Sequence, residues 1–320
     1  MDNSWDYANQ REYVKRVEEG MPPVIISAAI TGTNQKSGNP AVPVSAEEQA
    51  DEALAVFEAG AAIVHFHARQ AHDPVQFAHD TDRYAEINEL IRAKAPMLVD
   101  NSQGVFDLPS EGTGLVGTAH YVVPQAEAEP DIMALNPGPM TFRGGAAYTG
   151  GGDSPSKVFL STFDDAEQAA NRLRENGVKP QVFIYHPGHL DILDYLISRN
   201  ALDKPYFLQL VFGQQSGIST SMESFNYTIR NLPEDSIFQT CALGLEAVQV
   251  NTMAILAGGH VRTGLEDCLD YQRGQLAESN VQLVDRITRL ANDLGRRVAT
   301  VDEAKEILGM RLWLGNLKTN

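Results

Sequence analysis

The chain has 320 residues, of which 43% are hydrophobic and 21% charged, so it is long enough to bury a large core without disulfide staples. Its formal net charge is -17 and it has no cluster of Lys or Arg, which argues against nucleic acid as a partner because phosphate contacts rely on such clusters. The two cysteines lie far apart, and no apolar run has the length of a signal peptide or a membrane span, so we expect a cytoplasmic protein without a membrane partner.

Short apolar runs alternate with amphipathic helical stretches along most of the chain. Most of the runs are nearly continuous in apolar residues, as parallel strands buried on both faces are. The clearest helix starts at Ser45, a plausible N-cap with Glu48 three residues on, and stops at Gly60; another stops at Gly177. The predicted strands cover residues 24–30, 61–68, 97–102, 132–138, 181–186, 206–213, 236–243 and 259–264.

Eight strands with intervening helices predict an α/β fold, a (β/α)8 TIM barrel with extended loops after strands 3 and 4. These loops, 103–130 and 143–156, have a length usual for functional lids or disordered spans. An open doubly wound sheet is the alternative, but the glycine-rich turn after its first strand is missing. We expect one barrel domain over residues 1–320, with an N-terminal extension and a C-terminal tail.

His65 and His67 end the second predicted strand in the stretch AAIVHFHARQ. Side chains alternate across a strand, so both imidazoles point the same way, into the mouth of a barrel. Two imidazoles at this spacing can share one metal ion, and catalytic zinc takes three protein ligands. Alternatively, the two histidines are only hydrogen-bonded strand residues.

The stretch GGHVRTGLEDC at the eighth strand offers the missing third ligand. In a closed barrel this strand lies beside the first and the seventh. Glu266 can complete a His-His-carboxylate set, while Arg262 and Asp267 can pair, and a polar pair in a barrel mouth is a candidate for proton transfer. Alternatively, Glu266 and Asp267 complement the dipole of a helix that begins here.

The other strand ends are polar as well, and catalytic groups of barrels come from this face. Each of these residues alone is also a common turn former or cap, and His186 and His189 could cap the next helix. We treat the remaining histidines as structural; they are His72, His79, His120 and His260. The polar strand-end residues are Asn34, Asn101, Ser102, Asn136, His186 and His189.

Five sequence blocks follow one another in the chain: VIISAAITG, NPAVPVSAEEQADEA, AGAAIVHFHAR, GGHVRTGLED and SNVQLVDRITRLANDLGRRVATVDEAKEIL. In this order they resemble the β-keto acid cleavage enzymes over nearly the whole length. The resemblance implies a zinc-dependent barrel, or one with another divalent metal, that converts a β-keto acid and acetyl-CoA into acetoacetate and a new acyl-CoA. It further implies a Claisen/retro-Claisen exchange in which the acetyl-CoA methyl loses a proton.

Carried over by motif, the resemblance assigns roles to individual residues. The metal ligands fall on His65, His67 and Glu266, and the proton-abstracting dyad on Arg262 and Asp267. Ser102 corresponds to a serine associated with CoA transfer. The family also implies homo-oligomers, and we expect a homotetramer.

The prediction of the substrate follows from departures from the family pattern. A family member that handles an amino-keto acid carries acidic groups where this chain has Asn34 and Phe183, so we predict a substrate without a cationic amine, either neutral-tailed or carrying a polar or anionic group. We assign substrate contacts to Asn34, Asn136 and His186. The alternative functions are a metal-dependent hydrolase on the same fold and a non-catalytic, metal-containing protein that binds keto acids.

The apolar C-terminal stretch 307–317 fits an oligomer interface, because its large side chains would otherwise be exposed. These side chains are Met310, Leu312, Trp313 and Leu314. Alternatively, the stretch packs on the base of its own barrel.

Overall fold

Eight parallel strands close into a barrel in the computed structural model, which describes residues 9–102, 115–117, 126–142 and 157–310. All eight predicted strands are present, and the doubly wound alternative is therefore wrong. The barrel strands are β1 (Ile26–Ala29), β2 (Ile63–Phe66), β3 (Leu98–Asn101), β5 (Ile132–Leu135), β8 (Lys179–Ile184), β9 (Tyr206–Phe212), β10 (Ser236–Ala242) and β11 (His260–Thr263). Around the barrel they follow the order β1-β11-β10-β9-β8-β5-β3-β2, so the last strand lies beside the first, as expected.

Helices alternate with the barrel strands, and the predicted start at Ser45 and the predicted stops at Gly60 and Gly177 are confirmed. Ser45 and Glu48 form a reciprocal capping box, and Gly60 and Gly177 follow their helices with φ of 110° and 74°, a region in which glycine carries no steric penalty. The helices are α1 (Gln10–Glu19), α2 (Ala46–Glu58), α3 (Thr81–Lys94), α4 (Phe163–Glu175), α5 (Gly188–Ser198), α6 (Met222–Arg230), α7 (Ala247–Leu256), α8 (Asn280–Asp293) and α9 (Val301–Ile307).

A small side sheet that the sequence did not predict forms from one strand within the first long loop and two strands that flank the second. It contains β4 (Leu115–Gly117), β6 (Met140–Phe142) and β7 (Lys157–Leu160), in the order β4-β7-β6. A hairpin of β12 (Asp270–Gln272) and β13 (Gln275–Leu276) follows the last barrel strand. The four-residue barrel strands lie within predicted stretches of six to eight residues, whereas these strands lie in apolar runs of at most three residues, which carry too little pattern to be recognised in sequence. Residues 103–114, 118–125 and 143–156 of the predicted loops lie outside the described residues.

The base of the barrel is filled by a layer of inward-facing apolar side chains and closed by the C-terminal segment. Ile25, Leu98 and Phe207 belong to this layer, against which Leu308 and Met310 pack. Met310 is 1% exposed, so its assignment to an exposed interface is wrong, and the alternative of packing on the chain's own base holds for this residue. The other predicted interface side chains lie in 311–320, outside the described residues.

A polar layer separates this base from the mouth. Ser27 Oγ donates to Gln239 Oε1 over 2.8 Å, and Gln239 Nε2 donates to Gln209 Oε1 over 2.7 Å. All three side chains are buried, and hydrogen bonding offsets the cost of burying polar groups. The interior is therefore closed below the strand ends, and any site on the barrel axis opens only toward the mouth.

His260 is a structural histidine, as predicted. The backbone N–H of Ile25 donates to its Nδ1 over 3.0 Å, which ties β11 to β1. Burial, together with the nearby Arg296 guanidinium, lowers the pKa of His260 to about 3.

None of the described helices combines the length with the apolar composition that crossing a lipid bilayer requires.

The low pKa of His260 predicts a pH-dependent stability. Between pH 6.5 and 3 the His260 imidazole is protonated in the unfolded protein but stays neutral in the folded protein. The free energy of unfolding therefore falls as the pH falls through this window. From pH 7.5 to pH 5 the loss is about 2 kcal/mol. Urea unfolding of wild type and His260→Asn, whose Oδ1 can still accept from Ile25, measures it. Equal pH dependence in the two proteins would contradict the assignment.

Candidate active site

Three predicted metal ligands meet at the mouth of the barrel. His65 lies in β2 and His67 directly after it, with ring centroids 5.5 Å apart in an edge-to-face arrangement. Glu266 follows β11, and its carboxylate oxygens lie 3.5 Å from the Nε2 atoms of both rings. One ligand atom from each residue lies within 4.8 Å of the others, and all three residues are buried. Barrel closure therefore assembles the His-His-carboxylate set that the sequence predicted.

The segment that carries Glu266 is a turn. Residues 264–269 contain no helix, and α8 begins only at Asn280. The alternative in which Glu266 and Asp267 complement a helix dipole is therefore wrong.

Arg262 joins the two carboxylates of this turn. Its Nε and Nη2 donate to the Asp267 carboxylate over 3.1 and 2.8 Å, and Nη2 also donates to Glu266 Oε1 over 2.5 Å. Burial disfavours the charged form of Arg262, but Asp267 and Glu266 outweigh it and raise its pKa well above the ordinary value. Burial likewise raises the pKa of Glu266, but Arg262 and the two imidazoles hold it well below its usual range. The pair of Arg262 and Asp267 thus lies directly beside the ligand cluster.

The charges of the site favour a bound cation. Asp100, Glu266 and Asp267 are buried carboxylates, and Arg262 and Arg69 are the buried guanidiniums near them, which leaves a formal excess of one negative charge. Uncompensated buried charge is strongly unfavourable. Glu266 Oε2 and His67 Nδ1 are also buried without a hydrogen-bond partner. Two imidazoles and one carboxylate are ligands that zinc accepts, and three protein ligands leave a position open for substrate.

Asp100 is a site residue that sequence reasoning missed. It lies opposite His65 in the register of β2 and β3, and its Oδ2 accepts from His65 Nδ1 over 2.8 Å. This bond leaves the lone pair of His65 on Nε2, which faces Glu266. The signal is an acidic residue inside the apolar run MLVDNS, where burial needs a partner.

A second set of residues holds the backbone around Glu266 through hydrogen bonds. Asn34 Nδ2 donates to the carbonyls of Leu265 and Glu266 over 2.6 and 3.1 Å. The buried Arg69 donates to the carbonyls of Gly32 and Asn34 over 2.7 and 2.8 Å. The Asn34 amide nitrogen therefore helps to position Glu266, the predicted third ligand, while the predicted substrate contact of Asn34 stays a prediction.

The remaining predicted residues lie at neighbouring strand ends. Ser102 and Asn136 are buried just beyond β3 and β5. His186 is partly exposed, and its Nε2 lies 3.0 Å from the Pro139 carbonyl. His189 is fully buried against the Phe183 carbonyl, and burial lowers its pKa to about 4. The N-cap of α5 is Pro187 and makes no side-chain cap bond, so the capping alternative for His186 and His189 is wrong.

Adding a side chain at Gly32 is expected to weaken metal binding. A Cβ at this position would lie 2.3 Å from Glu266 Cγ, and its φ is 55°. We expect Gly32→Ala to raise the metal dissociation constant roughly 10- to 100-fold, measured by competition with a chromophoric chelator. Gly295→Ala is the matched control, since φ is 79° there and nothing lies within 4 Å. Equal metal affinity of the two variants would refute the role of Gly32.

Replacing the Asp100 carboxylate is also expected to weaken metal binding. Asp100→Asn keeps the shape but weakens the acceptor that fixes the His65 tautomer, so we expect metal binding to weaken roughly 10- to 100-fold. Asp131→Asn is the control, because Asp131 also accepts from β3, at the Val99 N–H, but takes no part in the cluster. Titration calorimetry with Zn²⁺ compares them. Wild-type affinity in Asp100→Asn would show that the bond is dispensable.

Comparison with known proteins supports a single family. The family model for beta-keto acid cleavage enzyme matches residues 23–310. The 3-keto-5-aminohexanoate cleavage enzyme of Fusobacterium nucleatum is 34% identical over 292 residues, which are 91% of this chain and 99% of that protein. The 3-oxoadipate:acetyl-CoA acetyltransferase of Cupriavidus necator is 30% identical over 292 residues, 90% of this chain and 95% of that protein.

A solved structure agrees on the fold. The ternary complex of ObcA with C4-CoA adduct and oxalate superposes with a TM-score of 0.65 at 17% identity, covering 84% of this chain and 68% of that chain. At this identity the likeness concerns the fold alone. The family match, together with a closed barrel that brings the quoted motifs into one buried cluster, places this chain among the β-keto acid cleavage enzymes.

Proposed function

We propose that this chain uses a divalent metal, zinc by preference, to exchange acyl groups between a β-keto acid and acetyl-CoA. The products are acetoacetate and a new acyl-CoA. The observation that carries the proposal is the His65–His67–Glu266 cluster, buried in direct contact with the Arg262–Asp267 pair. The acetyltransferase relative named above supports acetyl-CoA as the second substrate.

Atom balance fixes which bonds change in this reaction. Acetoacetate consists of the acetyl group joined to the CH2–COO⁻ unit of the keto acid. A bond therefore forms between the acetyl carbonyl carbon and C2 of the keto acid, and the C2–C3 bond breaks. CoA passes from the acetyl carbon to C3, which leaves as the acyl-CoA. The proton removed is thus on C2 of the keto acid, and the expectation that the acetyl methyl is deprotonated does not lead to these products.

The residues of the site divide this work. A bound Zn²⁺ supplies Lewis acidity to the oxygens of the keto acid. The dyad of Arg262 and Asp267 takes the C2 proton and returns it to the departing acetoacetate carbon. The guanidinium is held charged by its two carboxylates, so it also provides hydrogen-bond donation where negative charge develops. We assign the CoA transfer step to Ser102.

The keto acid is proposed to contact Asn34, Asn136 and His186 and to lack a cationic amine, since Phe183 is a buried apolar side chain beside the site. The homotetramer and the cytoplasmic location stay predictions. So does the description of residues 1–320 as one domain with an N-terminal extension and an oligomerisation tail.

Labelled acetyl-CoA tests the reaction. Zinc-replete protein is incubated with acetyl-CoA, ¹³C-labelled in the acetyl group, and a panel of β-keto acids, and products are identified by mass spectrometry. We expect labelled acetoacetate and unlabelled acyl-CoA, formed only when both substrates are present. Keto-acid breakdown without acetyl-CoA would point to the hydrolase instead, and metal-dependent binding without turnover would point to the non-catalytic binding protein.

If the pair of Arg262 and Asp267 transfers the proton, a substitution of Arg262 lowers kcat/KM. Arg262→Lys loses the planar fork that holds Asp267 and Glu266 together, so we expect kcat/KM to fall at least roughly 100-fold. Metal content, measured on the same sample, separates this loss from loss of the ion. Arg286→Lys is the control, since that guanidinium contacts Tyr271 rather than the site carboxylates. Near-wild-type kcat/KM in metal-loaded Arg262→Lys would exclude the dyad from proton transfer.

A further inference from the structure

Cys241 is a buried thiol at the site to which the proposed reaction gives no role. It lies in β10, two residues beyond Gln239 of the polar layer, so both side chains point into the barrel. Cys241 is buried, and its Sγ donates to Asp267 Oδ1 over 3.7 Å. Just after β10, the Gly244 N–H donates to the Asp267 carbonyl over 2.9 Å. A side-chain contact and a backbone contact thus join this strand end to the residue that is proposed to accept the proton.

The thiol of Cys241 acts as a hydrogen-bond donor at this contact. Burial raises its pKa well above the ordinary value, and the neighbouring Asp267 carboxylate adds to the rise. The sulfur therefore keeps its proton, and a carboxylate oxygen can only accept. An S–H group is a weak donor, but hydrogen bonds to a charged acceptor are stronger than those to a neutral one.

The two carboxylate oxygens of Asp267 differ in how many donors they meet. Oδ1 accepts from Arg262 Nη2 over 2.8 Å and from Cys241 Sγ over 3.7 Å. Within the described part of the chain, Oδ2 accepts from Arg262 Nε alone, over 3.1 Å. A carboxylate offers about four lone-pair positions, two on each oxygen. Both positions of Oδ1 are therefore occupied, and one position of Oδ2 stays open.

Arg262 keeps an open position as well. Its Nε and Nη2 donate to the site carboxylates, but its Nη1 is buried without a hydrogen-bond partner. A buried donor that lacks an acceptor is costly, so this atom points to a ligand that supplies an oxygen. The pair of Arg262 and Asp267 thus presents one free donor and one free acceptor position to a bound substrate.

We infer that Cys241 is a positioning residue, which occupies Oδ1 of Asp267 and thereby makes Oδ2 the oxygen that takes the C2 proton of the keto acid. The inference rests on the proposed function, because it assigns an atom to the proton step of that reaction. In this step the C2–H bond breaks, an Oδ2–H bond forms, and the electron pair of the broken bond passes into the enolate. The thiol keeps its own proton and fixes the orientation of the carboxylate.

Acetoacetate is a suitable probe, because it is the product common to every keto acid in the proposed exchange. Zinc-loaded protein is incubated with acetoacetate in D2O without acetyl-CoA, and NMR follows the enzyme-dependent exchange of the C2 hydrogens. This exchange reports the proton step and does not depend on CoA transfer.

Two substitutions of Cys241 separate hydrogen bonding from packing. Cys241→Val fills the space of the thiol but has no donor, whereas Cys241→Ser keeps a donor in a smaller side chain. In Cys241→Val we expect the saturated exchange rate to fall roughly 10-fold, with the half-saturating acetoacetate concentration within about twofold of wild type. Cys241→Ser should exchange faster than Cys241→Val, although it fills the space less well.

Infrared spectroscopy tests the hydrogen bond itself, without turnover. Cys268→Ala leaves Cys241 as the only thiol of the chain, and the Cys268 thiol donates elsewhere, to the Asp270 carbonyl. In this background we expect Asp267→Asn to move the S–H stretching band of Cys241 to higher frequency, because a neutral amide accepts more weakly than a carboxylate.

The outcomes separate the inference from the proposed function. Wild-type exchange in Cys241→Val, or slower exchange in Cys241→Ser than in Cys241→Val, overturns the role of the thiol while the acyl exchange stands. An S–H band that does not move in Asp267→Asn overturns it as well. If wild-type protein forms labelled acetoacetate from acetyl-CoA but does not exchange these hydrogens, Asp267 is not the proton acceptor and the inference fails alone. Absence of both activities removes the proposed function and, with it, this inference.

Discussion

The buried ion pair of Arg262 with Asp267 and Glu266 is the interaction on which the site depends. Breaking one partner of such a pair is costly, because it leaves a charge in a medium that cannot solvate it. The bidentate geometry gives the pair direction as well as energy, since a planar guanidinium fixes where both carboxylates lie. The carboxylates of Glu266, the proposed metal ligand, and Asp267, the proposed proton acceptor, are thereby held in fixed positions relative to each other.

This ion pair alone does not balance the charge of the site. The third buried carboxylate, Asp100, adds negative charge behind His65, and with Arg69 counted the buried groups keep a formal excess of one negative charge. This excess favours a bound cation. The side chains of Asn34 and Arg69 donate only to backbone carbonyls, among them that of Gly32. The carboxylate oxygens of Glu266 therefore stay directed at the imidazoles.

The two halves of the mouth have complementary chemistry. Charged groups are concentrated on β2, β3 and the end of β11. Apolar groups line the other strands, and the side sheet covers them, so the reacting atoms sit beside a region of low polarity in which electrostatic interactions are stronger than in water.

The sequence by itself determined the local features, because they depend on residues close together in the chain. Strand runs, the Ser45 capping box and the side on which His65 and His67 point follow from periodicity and spacing. The strands of the side sheet were not predicted, since their apolar runs span at most three residues, whereas each barrel strand lies in a predicted stretch of six to eight residues. Only the tertiary structure decided that Asp100 faces His65, that Met310 lies under the barrel and that Phe183 borders Arg262. Each of these is a contact between elements, set by strand register and barrel closure, and no local pattern records it.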